Sequence, residues 1–153
     1  NMIRRMKKHD LKWTLAFFLF VLATGNAFCQ SSDEEAIRET ALNYIEGWYS
    51  ADTARMAKAL SPELAKRGII LNPRTNELVL APATYTKMLQ WVGQKPNELE
   101  EDPDKQMEVF IIEIGEYIAM VKTVTPDFID YLHMGKMNGE WKIYNAIWER
   151  PPQ

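Results

Sequence analysis

The dipeptide Asn138-Gly139 constrains this chain more than any other two residues. Both residues accept the positive φ angles of a type I′ turn, whose twist matches that of two paired strands. The flanking segments, FIDYLHMGKM (128–137) and EWKIYNAIW (140–148), are rich in aromatic and β-branched residues, so the stretch reads as one long hairpin. A two-residue turn fixes register: Met137 lies opposite Glu140, Met134 opposite Ile143, Leu132 opposite Asn145 and Asp130 opposite Ile147. With strict alternation, one face carries Asp130, Leu132, Met134, Trp141, Ile143, Asn145 and Ile147. The other carries Tyr131, His133, Tyr144 and Trp148. The first, mostly aliphatic, is expected to turn towards the core. The second, aromatic and amphipathic, is expected to meet water or a partner chain.

The remainder supplies helices before this hairpin and a second hairpin beside it. Ser32 and Glu35 have capping-box spacing. Behind them Ile37, Ala41, Tyr44, Ile45, Trp48 and Tyr49 recur at helical steps. Asp52 is placed to cap a second helix running to Leu60, and Ser61-Pro62-Glu63 reads as the start of another. GIIL (68–71) and ELVL (77–80) read as short strands around a turn-rich loop. A third helix is expected from Pro82 to Gly93. MEVFIIEI (107–114) and YIAMVKTVT (117–125) are expected to pair across a Gly115-Glu116 turn. The order implies an α+β fold, a twisted antiparallel sheet with helices on one face.

Residues 1–29 have the three-part layout of a secretory signal peptide: a basic head, an apolar run from Trp13 to Thr24, and small residues. Cleavage is expected after Ala27 or Cys29, which places the protein in the periplasm or outside the cell, with residues 30–153 as one domain. Lipidation of Cys29 and an uncleaved anchor are the weaker alternatives, since Phe28 is bulky for a lipobox and the run is short for a span. The chain has 18 Lys/Arg and 21 Asp/Glu, of which 1–29 holds five and one, leaving 13 basic and 20 acidic residues, net −7. That charge disfavours nucleic acid as a partner. The sole cysteine is Cys29 and the second histidine is His9, so the mature chain offers no thiol nucleophile and one histidine, His133. No metal site, cofactor motif or stable membrane insertion after signal removal is expected. Asp130 and Asn145 on an apolar face suit the polar groups of a small-molecule pocket, with Tyr44 and Trp48, one turn apart, as a wall.

The segments AIRETALNYIEGWYSADTARMAKAL (36–60), PELAKR (62–67) and DYLHMGKMNGEWKIYNAIW (130–148) together resemble the lumazine-binding branch of the NTF2-like (SnoaL-like) superfamily. The resemblance implies a cone-shaped barrel of three helices packed on a strongly curved sheet, a pocket inside the cone, and a homodimer through the sheet's outer face. The pocket would hold Tyr44, Trp48, Asp130, Leu132, Met134, Trp141 and Asn145, and the dimer face Tyr131, His133, Tyr144 and Trp148. Superfamily enzymes often use an Asp–His pair in the pocket. Asp130 and His133 are an odd number of residues apart and face opposite ways, which favours binding of a small aromatic or apolar molecule over catalysis. The alternatives are an isomerase or dehydratase with Asp130 as general base and Asn145 orienting the substrate, or an interaction module using the outer face.

Overall fold

The computed structural model describes residues 32–152, so the expected signal segment lies outside the described residues. Two compact units divide the chain, Asn1–Glu35 and Ala36–Gln153. In the first, the described residues 32–35 are helical. The second unit holds everything below.

Helix α1, residues 36–49 of this unit, buries Ile37, Ala41, Tyr44, Ile45 and Tyr49 along one stripe, as the periodicity requires. Helix α2 (Thr53–Ala59) begins where expected, with the Asp52 carboxylate accepting from the Arg55 amide at 2.9 Å. Helix α3 (Tyr85–Val92) starts later than expected. Thr84 caps it and Pro82 lies in a strand, while Gly93 ends it.

The six strands are β1 (Leu60–Leu71), β2 (Leu78–Ala83), β3 (Glu108–Ile114), β4 (Ile118–Val124), β5 (Ile129–Met137) and β6 (Glu140–Glu149). They form one strongly curled sheet in the order β2-β1-β6-β5-β4-β3, antiparallel throughout except that β1 runs parallel to β6. Its inner face and the three helices share a core that includes Val121, Leu132, Met134, Trp141 and Ile143, with each fully buried aliphatic side chain worth about 1.5–3 kcal/mol. The expected α+β architecture is the one observed.

Three further local expectations fail, each for a physical reason. First, Ser61-Pro62-Glu63 does not start a helix. The Ser61 hydroxyl accepts from the Glu63 amide at 3.2 Å, a turn that uses the same signal as a cap. Proline lacks a ladder donor, and it falls where the register of β1 against β6 shifts, between Leu60 and Ala65. Second, Gly115-Glu116 does not make a two-residue turn. Ile114 pairs with Ala119, the Gly115 amide donates to the Ile118 carbonyl at 2.8 Å, and Gly115 is absent from the glycines at positive φ.

The third failure matters most. Asn138 (φ 53°) and Gly139 (φ 82°) build the expected turn, and Met137–Glu140 and Met134–Ile143 pair as expected. Beyond them the register shifts by one. His133 faces Asn145, Leu132 faces Ala146 and Asp130 faces Trp148. Tyr144 is the extra residue of a β-bulge, which reverses the alternation after it. Ala146 turns inward, while Asn145 and Ile147 are exposed.

Trp148 thereby arrives on the inner face opposite Gly68 of β1. A Cβ at Gly68 would lie 2.4 Å from Cε2 and Cζ2 of the Trp148 ring, so only glycine leaves room for the indole here. Gly68→Ala is expected to displace Trp148 and cost about 1–3 kcal/mol as overpacking, read as a lower urea midpoint with unchanged slope.

Candidate functional site

β1 alternates inward from Leu64 through Lys66 to Gly68, and this brings a lysine into the interior. Lys66 is 7% exposed, Asp130 3% and Tyr44 5%. Such burial of a charge is costly unless it is paired and hydrogen-bonded. Here the Lys66 ammonium donates to Asp130 Oδ1 in a salt bridge and to the Tyr44 hydroxyl at 2.5 Å. The Tyr44 O–H in turn donates to Asp130 Oδ1 at 2.9 Å. Three chain segments thus close one ring of hydrogen bonds: α1, β1 and β5. Lys66 Nζ also lies 5.3 Å from the Trp148 ring centre, within cation–π range.

The protonation of the cluster follows from its burial. Loss of hydration lowers the Lys66 pKa, and the Asp130 charge opposes this without cancelling it. Tyr44 is raised well above the phenol range, first by burial and then by the Asp130 charge. Tyr49 is raised for the first of these reasons. Its hydroxyl sits at 2.9 Å from Thr125 Oγ1 and donates to Asp127 Oδ2 at 2.8 Å.

The ring forms part of the wall of a cavity of ≈ 300 Å³. Its other walls are mostly apolar: Trp48, Met88, Trp91, Phe128 and Trp148, with Arg150 among the lining residues. Trp48, Phe128 and Trp148 stack edge to face, at 5.8 and 5.1 Å between ring centres. Near them Lys95 Nζ donates to the Trp48 carbonyl at 3.0 Å, and Glu98 binds Lys95 and Lys105 at 2.5 and 3.1 Å. These two cations hold the Glu98 carboxyl below its ordinary pKa although partial burial pushes the other way.

Of the residues expected in a pocket, Tyr44, Trp48 and Asp130 line this cavity together. Leu132, Met134 and Trp141 are buried in the core and do not line it. Asn145 is on the opposite face, a correction that follows from the bulge, and cannot assist Asp130. Trp148, expected on the outer face, is a cavity wall. Tyr131 and His133 are exposed on the outer face, as the alternation of β5 requires. Tyr144 is partly buried, its hydroxyl donating to Met137 Sδ at 2.9 Å. With His133 and Asn145 it borders a second depression of ≈ 690 Å³. Lys66 was not among the expected residues. The signal was present, because a lysine between Leu64 and Gly68 in an alternating run needs a carboxylate partner, and Asp130 needed a cation. Reading Ser61-Pro62-Glu63 as the start of a helix hid it. Among the described residues no group of three potential metal ligands comes together, and no helix is long and apolar enough to cross a membrane.

Three helices on a curled six-stranded sheet, with a cavity between them, define the NTF2-like class. An NTF2-like protein of unknown function from Shewanella baltica superposes with a TM-score of 0.62 at 21% identity, over 80% of this chain and 97% of that one. Another, from Silicibacter pomeroyi, gives 0.61 at 14% identity, over 80% and 98%. A protein titled Putative Scytalone Dehydratase, from Novosphingobium aromaticivorans, gives 0.52 at 14%, over 80% and 87%. At these identities the likeness is one of fold. No curated protein matches the chain. Residues 32–149 match the family model described as Putative lumazine-binding, and the chain belongs to that family.

Asp130→Asn leaves Lys66 buried without its counter-charge, and a loss of about 3–5 kcal/mol is expected. The loss should shrink with rising pH. Without Asp130 the Lys66 pKa falls further, so between that value and the unfolded lysine value of about 10.4 the unfolded state binds more protons and stability climbs with pH. Urea unfolding of both proteins at about pH 7 and about pH 9.5 checks this.

Proposed function

We propose that this chain is an exported pocket protein that binds a small aromatic or apolar molecule without transforming it. The observation that carries this reading is the cavity itself: aromatic walls of Trp48, Trp91, Phe128 and Trp148 with one buried polar cluster, Lys66–Asp130–Tyr44. Small-molecule sites are built this way, largely apolar with a few placed polar groups, and ≈ 300 Å³ lies at the lower end of their size range. Of the three N–H bonds of Lys66, two serve Tyr44 and Asp130, which leaves one donor for an acceptor atom on a ligand. The family description names lumazine, a flat heteroaromatic bicycle bearing carbonyl oxygens. Such a molecule suits both the walls and the donor.

Against the isomerase or dehydratase alternative, Asp130 is held as the counter-charge of the buried Lys66 ammonium, and His133 stands on the opposite face of β5. Export rests on the N-terminal segment, with its basic head and apolar run.

The ligand reading has a direct optical test, since three tryptophans line the cavity. Lumazine or 2-naphthol should quench tryptophan emission along a saturable curve. Met88→Trp, which fills the cavity from α3, should weaken that binding at least tenfold (about 1.4 kcal/mol). Linear quenching, equal in both proteins, would contradict the reading.

The outer face supports a homodimer. Ile118 is 71% exposed, Ile147 51% and Tyr131 42%, and Phe110, Ile112 and Met120 extend the patch across β3 to β6. Monomers rarely leave so many neighbouring apolar side chains wet. Tyr131→Glu is expected to turn a dimer into a monomer by light scattering. A monomer before the substitution, at tens of micromolar, would count against it.

A further inference from the structure

We propose that the cavity captures aromatic aldehydes covalently, as a protonated imine on Lys66. The inference deepens the binding reading and rests on the cavity being a ligand site.

Four features of the site carry it. Lys66 is the one lysine among the lining residues of the cavity, and it is nine-tenths buried there. Its Nζ is held by Asp130 and Tyr44, so the amine is fixed in place where a surface lysine would sweep through many rotamers. The Trp148 ring, 5.3 Å from Nζ, stabilises a cation at that point. The other aromatic walls accept the ring of an aldehyde whose carbonyl reaches the remaining Lys66 N–H. A purely structural ion pair would need none of the empty space beside it.

The chemistry closes without a co-reactant. Asp130 Oδ1 takes a proton from the Lys66 ammonium, a transfer inside one hydrogen bond that leaves the net charge of the site unchanged. Burial lowers the Lys66 pKa, which eases release of that proton. The freed amine lone pair attacks the carbonyl carbon. The C–O π pair moves to oxygen, which recovers the proton from Asp130 to give a carbinolamine. Loss of its hydroxyl as water forms the C=N bond. Of the two protons on the carbinolamine nitrogen one stays, while the other passes to Asp130 and is relayed to the departing hydroxyl by Tyr44, hydrogen-bonded to both Lys66 and Asp130. In sum, aldehyde plus ammonium gives iminium plus water. The iminium carries the charge that the ammonium carried, so Asp130 still faces one positive charge beside the same indole ring. Asp130 acts in this scheme through Lys66, which donates to its Oδ1. Ketones and aliphatic aldehydes would be poorer: the first crowd the carbon, the second forgo the ring contacts.

The test uses 2-naphthaldehyde with sodium cyanoborohydride at neutral pH, followed by peptide mapping, with 2-naphthalenemethanol as the alcohol that cannot form an imine. The result expected is an adduct on Lys66 at least tenfold above any other lysine after brief exposure, and its suppression by excess of the alcohol. Lys66→Arg keeps the positive charge and should lose the adduct, while Lys95→Arg should keep it. An adduct spread evenly over surface lysines, or absent from Lys66 while the alcohol still quenches tryptophan emission saturably, would overturn imine capture and leave the pocket reading standing. If neither alcohol nor aldehyde enters the cavity, both fall.

Discussion

The inner face of this protein depends on the hydration lost when Lys66 and Asp130 leave water. A bare ammonium or carboxylate at that depth would cost several kcal/mol, and the pair offsets this cost only if its geometry is held. Three separate elements hold it. β1 brings Lys66 in beside β6, β5 brings Asp130, and α1 lays the Tyr44 hydroxyl across both. Each element therefore constrains the others. A slip of β1 by one residue would send Lys66 to solvent and leave Asp130 alone.

A single extra residue in β6 then turns this paired core into a cavity. Without the bulge at Tyr144, Asn145 and Ile147 would point inward and Trp148 outward. With it, Trp148 swings over Gly68, flanks Lys66 and joins Phe128 and Trp48 in an edge-to-face row. Bulges commonly re-aim side chains near functional sites. Here it replaces an amide that could have hydrogen-bonded Asp130 with an aromatic wall.

What was legible in the sequence follows from the range of each signal. Turn chemistry at Asn138-Gly139, the cap at Asp52 and the apolar stripe of α1 are local, and all three stand in the structure. Placing Asp130 inside and His133 outside needed only the alternation of β5. Whatever depended on pairing between distant segments was not legible. Nothing near Tyr144 announces that it will bulge, since Gly135, over which its ring packs, belongs to the facing strand. The strand β1 was masked by a Ser-Pro-Glu sequence whose local turn is real but whose continuation is extended. Its parallel pairing with β6 is a property of the assembled sheet.

The central claim is that Lys66 sits in an aromatic slot, bound to Asp130 and Tyr44. The most direct measurement is proton–nitrogen NMR of the Lys66 side chain at about pH 6, where a lysine ammonium is charged. A buried, doubly hydrogen-bonded ammonium should give a slowly exchanging signal with cross-relaxation to ring protons of Tyr44 and Trp148, and its methylene protons should be shifted by those rings. A Lys66 ammonium that exchanges with water as fast as those of exposed lysines, with no ring contacts, would contradict the account.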